Sequence, residues 1–168
     1  MTVSIPDADS RMRFRRAMGH YASGVTVITT VVDGSPVGAT CQAFHSASLE
    51  PPLISVTLGA TSGCLASARA AGRFAVNVLA SDQEHLSRRF GQRGIDKWAG
   101  MEIEETPAGL PRLPGSLLTI ECVVEAHYPA GDHVILLGRV GWWDFTCTRA
   151  GPRPLLFYRG DYRDLAPV

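Results

Sequence analysis

The sequence predicts a mainly β fold, a closed antiparallel barrel with helices packed on its outside. Two observations carry this. Candidate strands far outweigh candidate helices. They also follow one another in hairpin order, with turn residues between them. A parallel dinucleotide-binding sheet is not expected, because no GxGxxG follows a strand and opens a helix.

Taken in order, a helix opens the fold. Ser10 is its candidate N-cap, and Phe14, Ala17, Met18 and Tyr21 recur on one face at three- and four-residue spacing. Val25 to Val32 is dense in β-branched residues. Asp33-Gly34 then supplies two positions that tolerate positive φ, and Pro36 to Phe44 returns as the second arm of a hairpin. Leu53 to Leu58 is a third strand, Ser62 to Ala70 a short helix and Phe74 to Leu79 a strand. Asp82 to Phe90 is helical, with Asp82 near its start and Arg88 and Arg89 in its last turn, an order that suits the helix dipole. Pro107 to Pro114 is expected to be a loop. Leu117 to Ala126, His133 to Trp143 and Leu155 to Tyr158 are the closing strands, punctuated by Gly131-Asp132 and Gly151-Pro152.

Length and composition bound the function. The 168 residues suit one domain over 1–168, and 45% hydrophobic against 19% charged residues can bury a sizeable core. Sixteen basic residues balance sixteen acidic ones, which argues against a nucleic-acid binder and against a basic membrane-surface anchor. No apolar run approaches the ~20 residues of a membrane span. Met1 to Ser10 lacks an apolar signal region, so the expected compartment is the cytoplasm. Cys41, Cys64, Cys122 and Cys147 are widely separated; without a close ligand pair no metal site is expected, and they read as reduced, buried thiols. Lys97 is the sole lysine.

The segment from Gly38 to Pro52 concentrates chemistry. It begins as a strand and ends in a Pro-Pro corner. Between them stand the hydroxyls of Thr40, Ser46 and Ser48 and the small residues Gly38, Ala39, Ala43 and Ala47. Small side chains admit a flat ligand to the backbone, and amides and hydroxyls can bind its oxygens or a phosphate. An ordinary strand followed by a Ser-rich turn explains the same residues. His133 opens a strand on the face of Ile135 and Leu137. It reads either as a structural residue or as a proton-handling one.

Six ordered motifs give the chain a family likeness: FRRAMGHYASGVTVIT (14–29), GATCQAFHSASLEPPL (38–53), GRFAVNVLA (72–80), DKW (96–98), GDHVILLGRV (131–140) and PLLFYRGDY (154–162). From about 14 to 165 the chain resembles the short-chain flavin reductases, the reductase components of two-component flavin-dependent monooxygenases. The resemblance implies a split β-barrel of the FMN-binding type with Greek-key order, and a homodimer. It also implies reduction of FMN or FAD by NADH or NADPH, with reduced flavin diffusing to a separate monooxygenase.

By the same resemblance the strand carrying Thr40, Cys41, Gln42 and Ala43 lies beside the flavin ring and binds it through backbone amides. Ser46, Ser48 and Ser62 match positions near the phosphate; Ser62 would equally cap the helix that follows it. Arg88 and Arg89 match phosphate- or adenine-contacting positions, and Arg159 and Tyr162 border the nicotinamide pocket. His133 in GDH lies at the flavin and nicotinamide site as the catalytic candidate. The DKW triplet carries no assigned role. Two further readings stay open: a non-catalytic flavin- or haem-binding split-barrel module, and an oxidase that keeps its flavin and acts on a bound substrate, like the pyridoxamine-phosphate oxidases.

Overall fold

The computed structural model describes residues 7–145 and 153–165. Cys147 and the Gly151-Pro152 turn signal lie outside the described residues. Helix α1 (Ala8–Met18) leads into a bridge-length strand β1 (Ser23–Gly24). Next come β2 (Thr26–Val32), β3 (Ser35–Cys41), β4 (Phe44–Leu49) and β5 (Pro52–Gly59). Helix α2 (Gly63–Ala71) and strand β6 (Arg73–Val78) follow, then a 3-10 turn over Ser81–Gln83 and helix α3 (Glu84–Gly91). The remainder is β7 (Glu104–Glu105), β8 (Pro111–Arg112), β9 (Leu118–Ala130), β10 (His133–Phe145), β11 (Leu156–Tyr158) and β12 (Asp161–Arg163).

Seven strands form one antiparallel sheet in the order β3-β2-β6-β9-β10-β5-β4, so hairpins alternate with crossovers. Its two edge strands meet where the chain passes from β3 to β4 through Gln42 and Ala43. There the Thr57 N–H of β5 donates to Ala43 O at 3.0 Å. The barrel is thus joined by chain and single bonds rather than by a continuous ladder. The expected return strand from Pro36 to Phe44 is correspondingly broken, and Phe44 begins a new one.

The hairpin at Asp33-Gly34 forms as read, with φ of 50° and 72°. Strand β2 is buried on both faces, which accounts for its run of β-branched residues. Ile28 faces the barrel core with Val56, Phe74 and Leu136, while Val27 faces outward to Leu86 and Phe90 of α3. Asn77 in FAVNVL is fully buried, and it is satisfied. Its amide donates to Val27 O and Thr29 Oγ1, and its carbonyl accepts from Leu113 N–H and Thr119 Oγ1.

Three expectations are corrected. Helix α1 is capped by Asp7, not Ser10: the Asp7 carboxylate accepts from Ser10 N–H at 2.8 Å, and that bond holds its pKa below the usual value. The apolar face of α1 is present but buries nothing in this chain; Phe14 is 65% and Tyr21 74% exposed. The 107–114 loop contains the return arm β8, which pairs with β7 and is anchored by Arg112 between Glu104 and Asp144.

Candidate active site

Strand register builds the site. His133 opens β10 directly opposite Gly59, the last residue of β5. Ala60 N–H then donates to Asp132 O at 2.9 Å, tying the turn before β10 to the chain entering α2. These two pairings bring His133 beside Thr61, Ser62 and Gly63. On the other side stands β3, and the segment from Phe90 to Trp98 makes a third wall. Together they enclose a cavity of about 610 Å³. That size falls within the range of small-molecule sites.

The cavity is electropositive. The first turn of α2 opens into it, so unpaired amide N–H groups and the positive end of the helix dipole face the space. Arg93 and Lys97 add two cations. The one acidic lining residue, Asp96, has its carboxylate engaged by Trp98 N–H at 2.9 Å.

His133 stands at the rim, with its side chain 49% exposed. A core role is therefore excluded. Its Nδ1 lies 2.7 Å from Asp132 Oδ1, and this bond is the first cause holding the Asp132 carboxyl below the usual carboxylate range. An ionised carboxylate only accepts, so Nδ1 carries the proton and Nε2 is the free ring nitrogen.

Thr40, Ser62 and His133 are brought together in this cavity. Thr40 is committed to a neighbour: its hydroxyl donates to Ser87 O on α3 at 2.6 Å. Ser62 caps α2, accepting from Leu65 N–H, and lines the cavity as well. The remaining candidates lie elsewhere. Cys41 is buried inside the barrel with its thiol donating to Thr57 O. Gln42 and Ala43 line a different, largely apolar cavity of about 510 Å³, together with Met18 and Tyr21 at the end of α1. Ser46 and Ser48 flank a bulge on the edge strand β4, outside the His133 cavity.

Arg88 pairs with Glu84 and stacks over the Tyr162 ring at 4.8 Å. The Tyr162 hydroxyl shares a 2.8 Å bond with Ser87 Oγ. Arg89 donates to Ala99 O. Arg159, with φ of 54°, forms the β11–β12 turn and borders a third cavity with Arg15 and Arg16.

Gly38 of β3 also serves packing. A Cβ at Gly38 would lie 2.6 Å from the Phe90 ring, so the missing side chain makes room for an aromatic wall. Arg93 and Lys97 were not among the candidate ligands. For Lys97 the available signal was its position as the sole lysine inside a family motif; for Arg93 there was none.

Comparison with known proteins places this geometry. The sequence model of the flavin reductase like domain family matches residues 18–166. The chain belongs to the flavin reductase family. The reductase subunit HsaB of a flavin-dependent monooxygenase from Rhodococcus jostii (strain RHA1) is 46% identical over 155 residues, 92% of this chain and 78% of that protein. The structure of a nitrilotriacetate monooxygenase component B homologue from Mycobacterium thermoresistibile superposes with a TM-score of 0.92 at 41% identity, covering 96% of this chain and 90% of that one. The NADH:FAD oxidoreductase SgcE6 of Streptomyces globisporus C-1027, in complex with NAD and FAD fragments, aligns at a TM-score of 0.88 and 31% identity over 98% of both chains. The fold expectation, a split-barrel flavin reductase, is borne out by these relationships.

Proposed function

We propose that this chain is an NADH-dependent reductase of FMN or FAD that supplies reduced flavin to a separate monooxygenase. The observation that carries the reading is the register that sets His133, the first turn of α2 and two cations around one cavity. The donor set fits a flavin nucleotide. Amide donors, the Ser62 and Thr61 hydroxyls and the charges of Arg93 and Lys97 suit a phosphate, while the aromatic and small residues of the opposite wall suit a flat ring.

A bound flavin would supply the redox chemistry that the protein's own side chains lack, as acceptor of the nicotinamide hydride. His133 contributes a ring nitrogen at the rim, fixed in orientation by Asp132, to hold or pass a proton and to seat the nicotinamide. The SgcE6 relative uses NADH, which supports NADH over NADPH as donor.

The chain is read as a homodimer. Leu49, Tyr128, Trp143 and Phe145 are exposed on the β4 edge and the β9–β10 ribbon, and their exposure supports the reading. Ser46 and Ser48 lie on β4, so in this reading a flavin contact of theirs would fall at the subunit boundary. No helix among the described residues is long and apolar enough to cross a membrane. A cytoplasmic location accords with dependence on NADH.

Stopped-flow mixing with NADH or NADPH, with and without added FMN or FAD, tests the reading. Rapid bleaching of flavin absorbance with NADH, continuing over many equivalents of added flavin, is expected. Tight flavin binding without bleaching would replace the reductase by a non-catalytic flavin module.

A further inference from the structure

Thr40, Ser87 and Tyr162 form a line of hydrogen bonds from the cavity to the terminal hairpin. Thr40 lines the cavity and donates to Ser87 O at 2.6 Å. Ser87 Oγ lies 2.8 Å from the Tyr162 hydroxyl on β12. A serine inside a helix commonly bonds back to a carbonyl one turn earlier. Ser87 is 1% exposed, yet its hydroxyl reaches out of α3 and meets Tyr162 instead. Side-chain bonds from β3 and from β12 thus converge on one buried residue of α3.

Tyr162 is itself held on two sides. Its ring stands edge-on to Phe157, with centroids 5.1 Å apart, and the Arg88 guanidinium covers it at 4.8 Å. The apolar cluster beneath contains Leu86 and Phe90 of α3, with Trp98, Phe157 and Tyr162 packed against it. One continuous body of side chains therefore joins β12 to the aromatic wall of the cavity. Phe90 follows Ser87 by three residues and shares its face of α3, so whatever fixes Ser87 also sets the Phe90 ring. Phe90 in turn packs edge-on against Trp98, with centroids 4.9 Å apart. The far end of this wall is fastened to β3 by Lys97, whose Nζ donates to Gly38 O at 3.1 Å and to Phe90 O at 2.7 Å.

We propose that Tyr162 is a positioning residue for the flavin cavity: through Ser87 it fixes the rotation of α3, and with it the Phe90–Trp98 wall and the anchor of Thr40. This role rests on the flavin reductase reading. It differs from the nicotinamide contact that the family likeness implies, because the Tyr162 hydroxyl is turned to α3 and engaged there. A wall already in place need not be ordered when the ligand arrives, so loss of the fastening appears in flavin affinity.

Tyr162→Phe keeps the ring and removes only the hydroxyl; Ser87→Ala removes the other half of the bond. The FMN dissociation constant is measured by fluorescence quenching on the wild-type chain, both variants and the double variant, below every melting transition. KM for NADH and the single-turnover reduction rate are measured at saturating FMN. A hydrogen bond between neutral groups is worth about threefold to tenfold in an equilibrium constant. Each variant is expected to weaken FMN by that factor, with KM for NADH and the reduction rate within about twofold of wild type. The double variant should bind FMN no more weakly than the singles, since one bond links the two residues.

Unchanged FMN affinity in both variants overturns the role: a raised KM for NADH would then place the hydroxyl at the nicotinamide, and a lower melting temperature alone would make the bond structural only. FMN affinity and KM for NADH worsening together, or additive losses in the double variant, overturn it as well. None of these results touches the reductase reading if the wild-type chain bleaches flavin with NADH. A wild-type chain that binds no flavin overturns both. If Tyr162→Phe does not fold, Ser87→Ala alone is measured against the same outcomes.

Discussion

Asp132 Oδ1 and His133 Nδ1 lie 2.7 Å apart at the mouth of the cavity, two adjacent residues forming a carboxylate–imidazole pair where β10 begins. The pair fixes the ring so that Nε2 is the nitrogen left for chemistry. His133→Ala is expected to slow single-turnover flavin reduction at least tenfold, since a positioned proton group contributes about 10²–10⁴-fold. Flavin affinity and melting temperature should stay close to wild type, because the ring is half-exposed and fills no core space. A lower melting temperature with an unchanged reduction rate would return His133 to a structural role.

The same pair has a pH signature. The hydrogen bond from His133 depresses the Asp132 pKa from its model-compound value of 3.8. A depressed carboxylate stabilises the fold above that value and ceases to do so as pH falls through the lower folded value. Asp132→Asn should therefore flatten stability against pH only below about pH 4. It should also lower the reduction rate at neutral pH, where orientation of the ring is what is lost. Urea midpoints from pH 2.5 to 7 on both chains check this.

Gly38→Ala is expected to destabilise the fold by about 1–3 kcal/mol, the usual cost of overpacking. Its Cβ would press on the Phe90 ring at 2.6 Å and on Trp98 at 3.2 Å. Both aromatics belong to the cavity wall, so FMN and riboflavin affinities should fall together. Equilibrium unfolding and flavin titration on one variant measure the two effects.

Cys64 and Cys122 are buried, and burial pushes each thiol up to about 12. A raised thiol pKa means that the neutral form is the folded one. Stability from this source is complete below the ordinary value of 9.0 and is lost as pH rises from there toward 12. A Cys147→Ser chain should show no rapidly reacting thiol in Ellman's assay at pH 8 and three after denaturation. A fast native equivalent would contradict the burial of Cys41, Cys64 or Cys122.

Sedimentation equilibrium at micromolar concentration is expected to give a dimer. Leu49→Glu combined with Trp143→Glu should shift it to a monomer if the exposed β4 edge and β9–β10 ribbon are the contact. A monomeric wild-type chain that still binds flavin would assign those residues to another partner.

Much of the fold was legible because its signals are local. Asp33-Gly34 specifies its turn by backbone conformation alone, and β2 announces burial on both faces through continuous β-branching. The errors have the same origin. Asp7 and Ser10 are both good caps three residues apart, and only the bond between them decides which one acts. The two-residue arms β7 and β8 and the three-residue β12 are too short for any periodicity to show.

The candidate site was harder to read because it depends on register. His133 joins Ser62 only through the pairing of β10 with β5, a relationship that no spacing along the chain reveals. Conversely, Thr40, Gln42 and Ala43 are near neighbours in sequence but border different cavities. The chain bends between β3 and β4 at that point.

Three sequestered thiols have a bearing on what surrounds this protein during turnover. Reduced flavin released into aerated solution reacts with dioxygen and yields hydrogen peroxide, so a reductase of this kind works amid its own oxidising by-product. Peroxide attacks thiolates far faster than thiols, and susceptibility follows exposure. Cys41, Cys64 and Cys122 are withdrawn from solvent and held protonated, with their sulfurs turned to backbone or core. The barrel interior thereby endures the damage that uncoupled catalysis generates at its surface.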